Sequence, residues 1–213
     1  HPDAEKLYVE TLDDGSGAKG ESLKVDIGDL SADWLKEHRQ FASARPRPEN
    51  YDFKEDSLKA YLAGIPEDKR SFEEKRFRQV SGIKNYIVRL MERNTYPKPL
   101  TLKDGDTIRG IMVNPNFVSV KSGRKKFTRL GWDSVPVDQI ASILEYFAEF
   151  RLRASGGPAV QESQKKKEVA EDYIRIGILC DWYGDYESAV KYSKKSISIE
   201  PKAEDVVKKF MMQ

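Results

Sequence analysis

The fold of this chain is decided by residues 170–201, whose sequence is AEDYIRIGILCDWYGDYESAVKYSKKSISIEP. The pattern predicts two helices that separate near Gly184 and end at Pro201, because glycine accepts a left-handed turn that other residues resist and proline cannot continue a helix. Gly177 and Ala189 lack bulk, so we expect the two helices to approach each other closely. Together these features predict a helical hairpin.

The hairpin resembles a tetratricopeptide repeat, a unit of about 34 residues. The matching positions over about residues 170–201 are an aromatic residue, a small residue, a turn, an alanine and a final proline: Tyr173, Gly177, Gly184-Asp185-Tyr186, Ala189 and Pro201. Two positions depart from the pattern, Cys180 where an aromatic residue is usual and Ser196 where alanine is usual. The resemblance implies a unit that binds a protein partner.

An apolar stripe runs along the first helix of this hairpin. It consists of Ile174, Ile178 and Trp182, spaced four residues apart. The resemblance implies that the stripe lines a groove for the partner, and the alternative is that it packs on the rest of the chain. One repeat cannot cover its own apolar faces, since about three are usually needed. We therefore expect the hairpin to dock on the apolar helix predicted at residues 137–152.

Short strands separated by tight turns are predicted between residues 100 and 131. A helical pattern is predicted before them from about Phe72 to Glu92, with one apolar stripe between Ile83 and Met91. The expected strands are Leu100–Leu102, Thr107–Val113, Phe117–Lys121 and Lys125–Leu130. We therefore expect an α+β fold, with a small β-barrel-like core, flanking helices and the tetratricopeptide-like hairpin at the C-terminal end.

Residues 102–110, LKDGDTIRG, resemble the first motif of the Sm-like barrels. The helix at 82–93 and the pair Trp132-Asp133 extend this resemblance over residues 82–140. It implies a small barrel that binds RNA. The acidic-aromatic pair that contacts RNA in that family is not matched at Asn116-Phe117.

Charge is unevenly distributed along the chain. Residues 1–75 carry a balance of −6 and residues 76–152 one of +7, although the net charge of the whole chain is only +2. Such asymmetry suggests a polyanionic partner, unless the two blocks face each other. The basic residues concentrate in one predicted hairpin, at Lys121, Arg124, Lys125, Lys126 and Arg129, around Phe127. This hairpin could bind phosphates and stack a base, or it could protect a sheet edge from association.

The N-terminal part is predicted to form a β-hairpin followed by a helix. The strands are expected at Lys6–Leu12 and Ser22–Ile27, so the glycine-rich segment 15–20 between them is a hairpin loop and not a dinucleotide motif, which would have to open a helix. Ser31 is expected to cap a helix that runs through about Phe41. The whole chain then divides into 1–41 (hairpin and helix), 42–71 (linker with a possible short helix), 72–153 (helix, barrel, apolar helix), 154–165 (linker) and 166–213 (helical hairpin and terminal helix).

Few residues suited to catalysis are present. The chain has one cysteine, Cys180, and two histidines, His1 and His38. We predict no catalytic residue, no metal site and no cofactor, and the longest apolar run, Ile176–Cys180, is far shorter than the roughly 18 residues of a membrane span. The expected function is a non-enzymatic scaffold that binds a protein partner through the repeat and the barrel. The alternative is a nucleic-acid-binding module that uses the basic hairpin 121–129, and an enzyme is the third possibility.

Overall fold

The computed structural model describes residues 26–121, 127–153 and 159–212. The two predicted N-terminal strands lie outside these residues, except that Ile27 begins a short 3-10 helix. The helices are α1 Ala32–His38, α2 Glu55–Ala63, α3 Glu67–Ser81, α4 Ile83–Arg93, α5 Val137–Arg153, α6 Ala159–Tyr183, α7 Tyr186–Ile199 and α8 Ala203–Met211. The strands are β1 Leu100–Thr101, β2 Thr107–Ile108, β3 Ile111–Val113, β4 Val118–Lys121 and β5 Phe127–Leu130.

The predicted helical hairpin is confirmed as α6 and α7. Gly184 ends α6 with a φ of +90°, a left-handed conformation that glycine adopts without strain. Gly177 lies where the helices meet, because a Cβ at this position would come within 3.0 Å of the Ser193 Oγ and 3.2 Å of the Ala189 carbonyl oxygen. The absence of a side chain at Gly177 therefore permits the close approach.

Helix α5 packs against α6, as the need of the hairpin for a partner surface predicts. Polar contacts also join α5 to α7. The Glu145 carboxylate accepts a hydrogen bond from the Tyr192 hydroxyl at 3.0 Å and from Lys195 Nζ at 2.9 Å. The buried residues of α5 are Ile140, Ala141, Ile143, Leu144, Phe147 and Ala148.

The start of α1 is confirmed at the expected residue. The Ser31 Oγ accepts a hydrogen bond from the Trp34 amide at 3.1 Å, which satisfies a donor of the first turn. Leu30 and Leu35, on either side of the cap, are fully buried. The helix ends at His38, before the predicted end near Phe41.

The helical pattern predicted from about Phe72 to Glu92 is confirmed, but it is divided into two helices, α3 and α4, which Gly82 separates. Glycine has low helix propensity, and the regular apolar stripe begins only at Ile83. Helix α3 instead buries polar side chains, among them Glu73 and Arg76.

The expected mixture of helices and short strands is confirmed, but the described strands form two separate antiparallel sheets and not a closed barrel. One sheet pairs β1 with β2, and the other has the order β3-β4-β5. The strand predicted at Thr107–Val113 is interrupted at Gly110, whose φ of +65° leaves β2 and β3 in different sheets. The fold therefore combines helices with two small antiparallel sheets.

Residues 45–54, which we call the strap, run across the helices between α1 and α2. The Trp182 Nε1 donates to the Pro46 carbonyl at 2.9 Å, and the Tyr183 hydroxyl donates to the Pro48 carbonyl at 3.1 Å. Tyr51 has a left-handed φ of 59°, held by burial and by a 2.7 Å hydrogen bond from its hydroxyl to the carbonyl of Val135. The strap thus covers the C-terminal end of α6.

Candidate functional site

The three-stranded sheet packs one apolar face against the core, and its opposite face points away from the core. Ile111 pairs with Val120, and Val113 pairs with Val118, so these side chains share one face, where Ile111, Val118 and Val120 are buried. Successive side chains of a strand point to opposite faces. The other face is therefore formed by the residues between them and by their partners on β5, and we call it the outer sheet face.

The outer sheet face carries large apolar, aromatic and basic side chains. Met112 and Phe127 are each 51% exposed, which is unusual for residues of this size. The Arg129 guanidinium lies 4.6 Å from the centroid of the Phe117 ring, a cation–π contact. Phe127 and Arg129 are two residues apart on β5 and share this face. The surface therefore combines an open aromatic ring with a cation already stacked on a second ring.

The register gives the distance over which these groups are spread. Lys121 pairs with Phe127, and Ser119 pairs with Arg129. Phe117 is four residues before Lys121, which corresponds to about 13 Å along the strand. The two phenylalanine side chains are therefore near opposite ends of the outer sheet face.

The structure brings together part of the predicted basic hairpin. Phe127 and Arg129 lie on the outer sheet face, and the backbone of Lys121 pairs opposite Phe127. Arg124, Lys125 and Lys126 lie outside the described residues. Sequence analysis missed Met112 and Phe117 as members of this surface. Strand alternation could have placed Phe117 on the face of Lys121, but Met112 needed the register between β3 and β4.

The predicted partner-binding stripe lies in the core. Ile174 is 4% exposed, and Ile178 and Trp182 have no exposed surface. Trp182 makes edge-to-face contacts with Tyr61 and Phe77, at centroid distances of 5.8 and 5.9 Å. The stripe is therefore not accessible to a partner here, and the alternative, packing on the rest of the chain, describes its position. The physical reason is that the strap and α3 cover the face that a repeat array would leave open.

A buried network of charged residues fixes the strap and α1 to the helices. Asp181, on α6, accepts hydrogen bonds from Arg39 Nε at 3.0 Å and from Arg45 Nη1 at 3.3 Å, and it also pairs with Arg76. Glu73 pairs with Arg45 Nη2 and with Arg76 Nη1, each at 3.1 Å. These side chains are at most 5% exposed, so the network lies inside the protein, where it joins these segments to one another.

The network also shifts the pKa values of its members. Burial opposes ionisation of Glu73, but the guanidinium groups of Arg76 and Arg45 outweigh it and hold its pKa at about 2. Burial, assisted by repulsion from Arg45, lowers the pKa of Arg39 to about 9, against the attraction of Glu73. The carboxylate of Glu73 is therefore stabilised in its ionised form.

Cys180 and His38 make separate contacts in the structure. Cys180 is buried, and burial raises the pKa of its thiol. His38 stacks on Trp34 at a centroid distance of 4.0 Å, and its Nδ1 lies 2.8 Å from the Trp34 carbonyl oxygen. Among the described side chains, no group of three or more His, Cys, Asp or Glu residues is arranged to hold a metal ion. None of the described helices is both long enough and apolar enough to cross a membrane.

Comparisons of this chain with protein-family models, with curated proteins and with solved structures found no match.

Proposed function

We propose that this protein is a non-catalytic binding module and that the outer sheet face binds single-stranded nucleic acid. The observation that carries the proposal is the half-exposed ring of Phe127 beside Arg129 on the same face of β5. An exposed ring on a sheet is the platform on which an unpaired base stacks, and stacking contributes about 1–3 kcal/mol per base.

The cation–π pair supplies a second element of such a surface. The Arg129 guanidinium, held over the Phe117 ring, is positioned on the outer sheet face without a described carboxylate partner. A guanidinium binds phosphate oxygens and also stacks on bases. Phe117, with Arg129 stacked on its ring, and Phe127 lie about 13 Å apart along the strand direction, a spacing that gives room for more than one nucleotide.

The charge distribution supports the same proposal. Residues 76–152 carry a balance of +7, and five of their basic residues lie in the segment 121–129. Lysine and arginine side chains that contact phosphates release counterions, which favours binding at low salt. The proposal does not require a closed barrel, because bases stack on an open sheet face.

The experiment that tests the proposal is a salt titration of binding. A fluorescein-labelled single-stranded oligonucleotide is mixed with the protein, and the dissociation constant is measured by anisotropy at increasing salt. If all five basic residues of segment 121–129 contact phosphates, the logarithm of the binding constant falls with a slope of up to about −3.5 against the logarithm of salt concentration. No binding at low salt, or binding that is insensitive to salt, would show that the proposal is wrong.

A protein-binding role is the second candidate, and one specific observation favours it. Phe150 and Leu152, near the end of α5, are 52% and 36% exposed. The half-buried Tyr146 ring stacks on Phe150 at a centroid distance of 6.3 Å, so these two rings form one patch, whereas Leu152 points to a different side of the helix. Large exposed apolar patches mark surfaces for protein contact. This candidate predicts a protein partner whose binding is lost with Phe150→Asp and retained with Phe127→Ala, and the opposite pattern would exclude this surface.

A further inference from the structure

The buried network contains more positive than negative charge. Three guanidinium groups and two carboxylates form it, those of Arg39, Arg45, Arg76, Glu73 and Asp181. None of these side chains is more than 5% exposed, so water does not screen their charges. Buried charges in proteins are paired because an uncompensated charge in the interior is costly. The network therefore has an excess charge of +1 that its own carboxylates do not neutralise.

The excess charge is present at neutral pH. Burial, assisted by repulsion from Arg45, lowers the pKa of Arg39 to about 9, which is still above 7. Burial also lowers the pKa of Arg76, so its charged form is disfavoured where it lies, although a guanidinium keeps its proton in proteins. The one other buried carboxylate among the described residues, Asp172, is paired with Arg151. An anion from outside the chain would relieve this cost.

Donor groups of two of the arginines are also left without acceptors. Arg39 donates through Nε to Asp181 and through Nη2 to the Met211 carbonyl, but its Nη1 is buried and has no hydrogen-bond partner among the described residues. The Nε of Arg76 is likewise buried and without a partner there. A buried donor without an acceptor costs stability, and a charged donor costs more than a neutral one. These N–H groups therefore call for an additional acceptor.

The two guanidinium groups that carry these donors are neighbours. Arg39 and Arg76 both pair with Asp181. Both also lie against the ring of Phe72, at 5.7 and 5.1 Å from its centroid. The Met211 carbonyl belongs to the last residue of α8, so the region lies where α1, α3, α6 and α8 meet. A single anion placed there is attracted by both guanidinium groups.

Charge and burial determine the class of anion. A monovalent anion cancels an excess of +1, whereas sulfate or a phosphate dianion would leave a buried negative charge. Removing an ion from water also costs more as its charge rises, and the guanidinium groups of Arg39 and Arg76 are at most 1% exposed. We propose that a small monovalent anion of the halide class, such as chloride, binds at the Nη1 of Arg39 beside Arg76. The inference is independent of the proposed function, because the network shares no residue with the outer sheet face.

The anion site exists only in the folded protein. Arg39 follows α1 and Arg76 lies on α3, and they meet at Asp181, which is more than 100 residues further along the chain. A ligand that binds the folded state and not the unfolded state stabilises the folded state as its concentration rises. Chloride should therefore stabilise this protein by binding, in addition to any general effect of salt.

The experiment measures urea unfolding of the full chain at constant ionic strength, while potassium gluconate is replaced stepwise by potassium chloride. Gluconate is monovalent like chloride but too large to be enclosed within the network. Each tenfold rise in chloride above its dissociation constant should increase the folding equilibrium constant by up to about tenfold. Potassium bromide should act in the same way as potassium chloride.

Arg39→Met tests whether the network is the origin of this effect. The substitution removes the unpartnered Nη1 and leaves two guanidinium groups opposite two carboxylates, and methionine makes favourable contacts with an aromatic ring such as Phe72. Its stability should be the same in chloride and in gluconate, whatever its absolute value. Arg78→Met is the matched control, because Arg78 is half-exposed and pairs with Glu74 outside the network. The control should keep the chloride response of the wild type.

Bromide locates the ion directly. In crystals of the wild type grown with bromide, anomalous diffraction should place an ion within hydrogen-bond distance of the Arg39 Nη1, and bromide found only elsewhere overturns the inference. Equal wild-type stability in chloride and gluconate also overturns it, as does a chloride response that persists in Arg39→Met. A bromide peak at Arg39 without a chloride effect on stability is an adventitious ion only and counts against the inference. If Arg39→Met does not fold, the wild-type chloride response and the bromide position together decide the question.

Discussion

The carboxylate of Asp181 lies 3.0 Å from the Nε of Arg39, although 142 residues separate them in the chain. The side chains are 0% and 1% exposed, so the pair is shielded from water. This contact fixes the end of α1 to the end of α6, and Arg45, at the start of the strap, donates to the same carboxylate at 3.3 Å. The same arrangement buries Trp182, which a repeat array would leave open to a partner.

Removal of the Asp181 charge is expected to destabilise the protein strongly. Asp181→Asn leaves Arg39, Arg45 and Arg76 buried with only Glu73 to compensate them, and the loss of one partner of a buried ion pair costs about 3–5 kcal/mol. The free energy of unfolding in urea measures the effect. Glu74→Gln is the control, since its pair with Arg78 is half-exposed and contributes about 0–1 kcal/mol. Equal stability of the two variants would contradict a structural role for the network.

Stability is expected to decrease in acid partly through Glu73. Its folded-state pKa of about 2 is below the ordinary value of 4.5, so ionised Glu73 stabilises the folded state above pH 4.5 and this contribution is lost as the pH falls towards 2. The contribution is roughly 3 kcal/mol at most. Urea unfolding of wild type and Glu73→Gln between pH 7 and 2 measures it. The two curves should converge as the pH falls, and parallel curves would show that Glu73 does not titrate in this way.

Two glycines that follow helices, Gly184 after α6 and Gly64 after α2, are expected to respond oppositely to alanine substitution. Gly184→Ala forces a Cβ into a φ of +90°, and we expect a loss of about 1–2 kcal/mol from backbone strain alone, since the nearest atom to that Cβ is 3.8 Å away. Gly64→Ala is the matched control, because its φ is −87° and the nearest atom is 3.6 Å away. This control should be neutral or more stable by about 0.4–1 kcal/mol. Thermal unfolding compares the two, and an unchanged Gly184→Ala variant would refute the strained turn.

The burial of Trp182 predicts that its substitution acts on folding. Trp182→Ala should lower the free energy of unfolding by about 3–5 kcal/mol, the usual cost of removing a large aromatic side chain from a core. Phe150→Ala should change it by less than about 0.5 kcal/mol, because that side chain is 52% exposed. Urea unfolding followed by tryptophan fluorescence and circular dichroism provides both values. A folded and stable Trp182→Ala protein would restore the stripe as a candidate binding face.

Local features of the fold were predictable from the sequence. Ser31 begins a helix and Gly184 ends one because each residue satisfies a local backbone requirement. Apolar residues occupy more than half of the circumference of the helix predicted at 137–152, which likewise predicted that other elements cover it on more than one side. Gly82 was missed as a break because the residues before it are polar enough to continue an exposed helix.

Features that depend on distant contacts were not predictable. No periodicity reveals that the Pro46 carbonyl accepts a hydrogen bond from Trp182, and this contact decides that the stripe is core. The outer sheet face was half predictable, since alternation along β5 groups Phe127 with Arg129 but cannot supply the register that adds Met112.

The most direct test of the account compares two phenylalanines of equal exposure on different surfaces. Phe127 is 51% exposed on the outer sheet face, and Phe150 is 52% exposed on α5. The measurement is the dissociation constant for a labelled single-stranded oligonucleotide at low salt. The account predicts that Phe127→Ala weakens binding by roughly 5- to 150-fold, as the loss of one stacked base requires, whereas Phe150→Ala binds like the wild type. Binding that is unchanged by Phe127→Ala, or weakened equally by both substitutions, would contradict it.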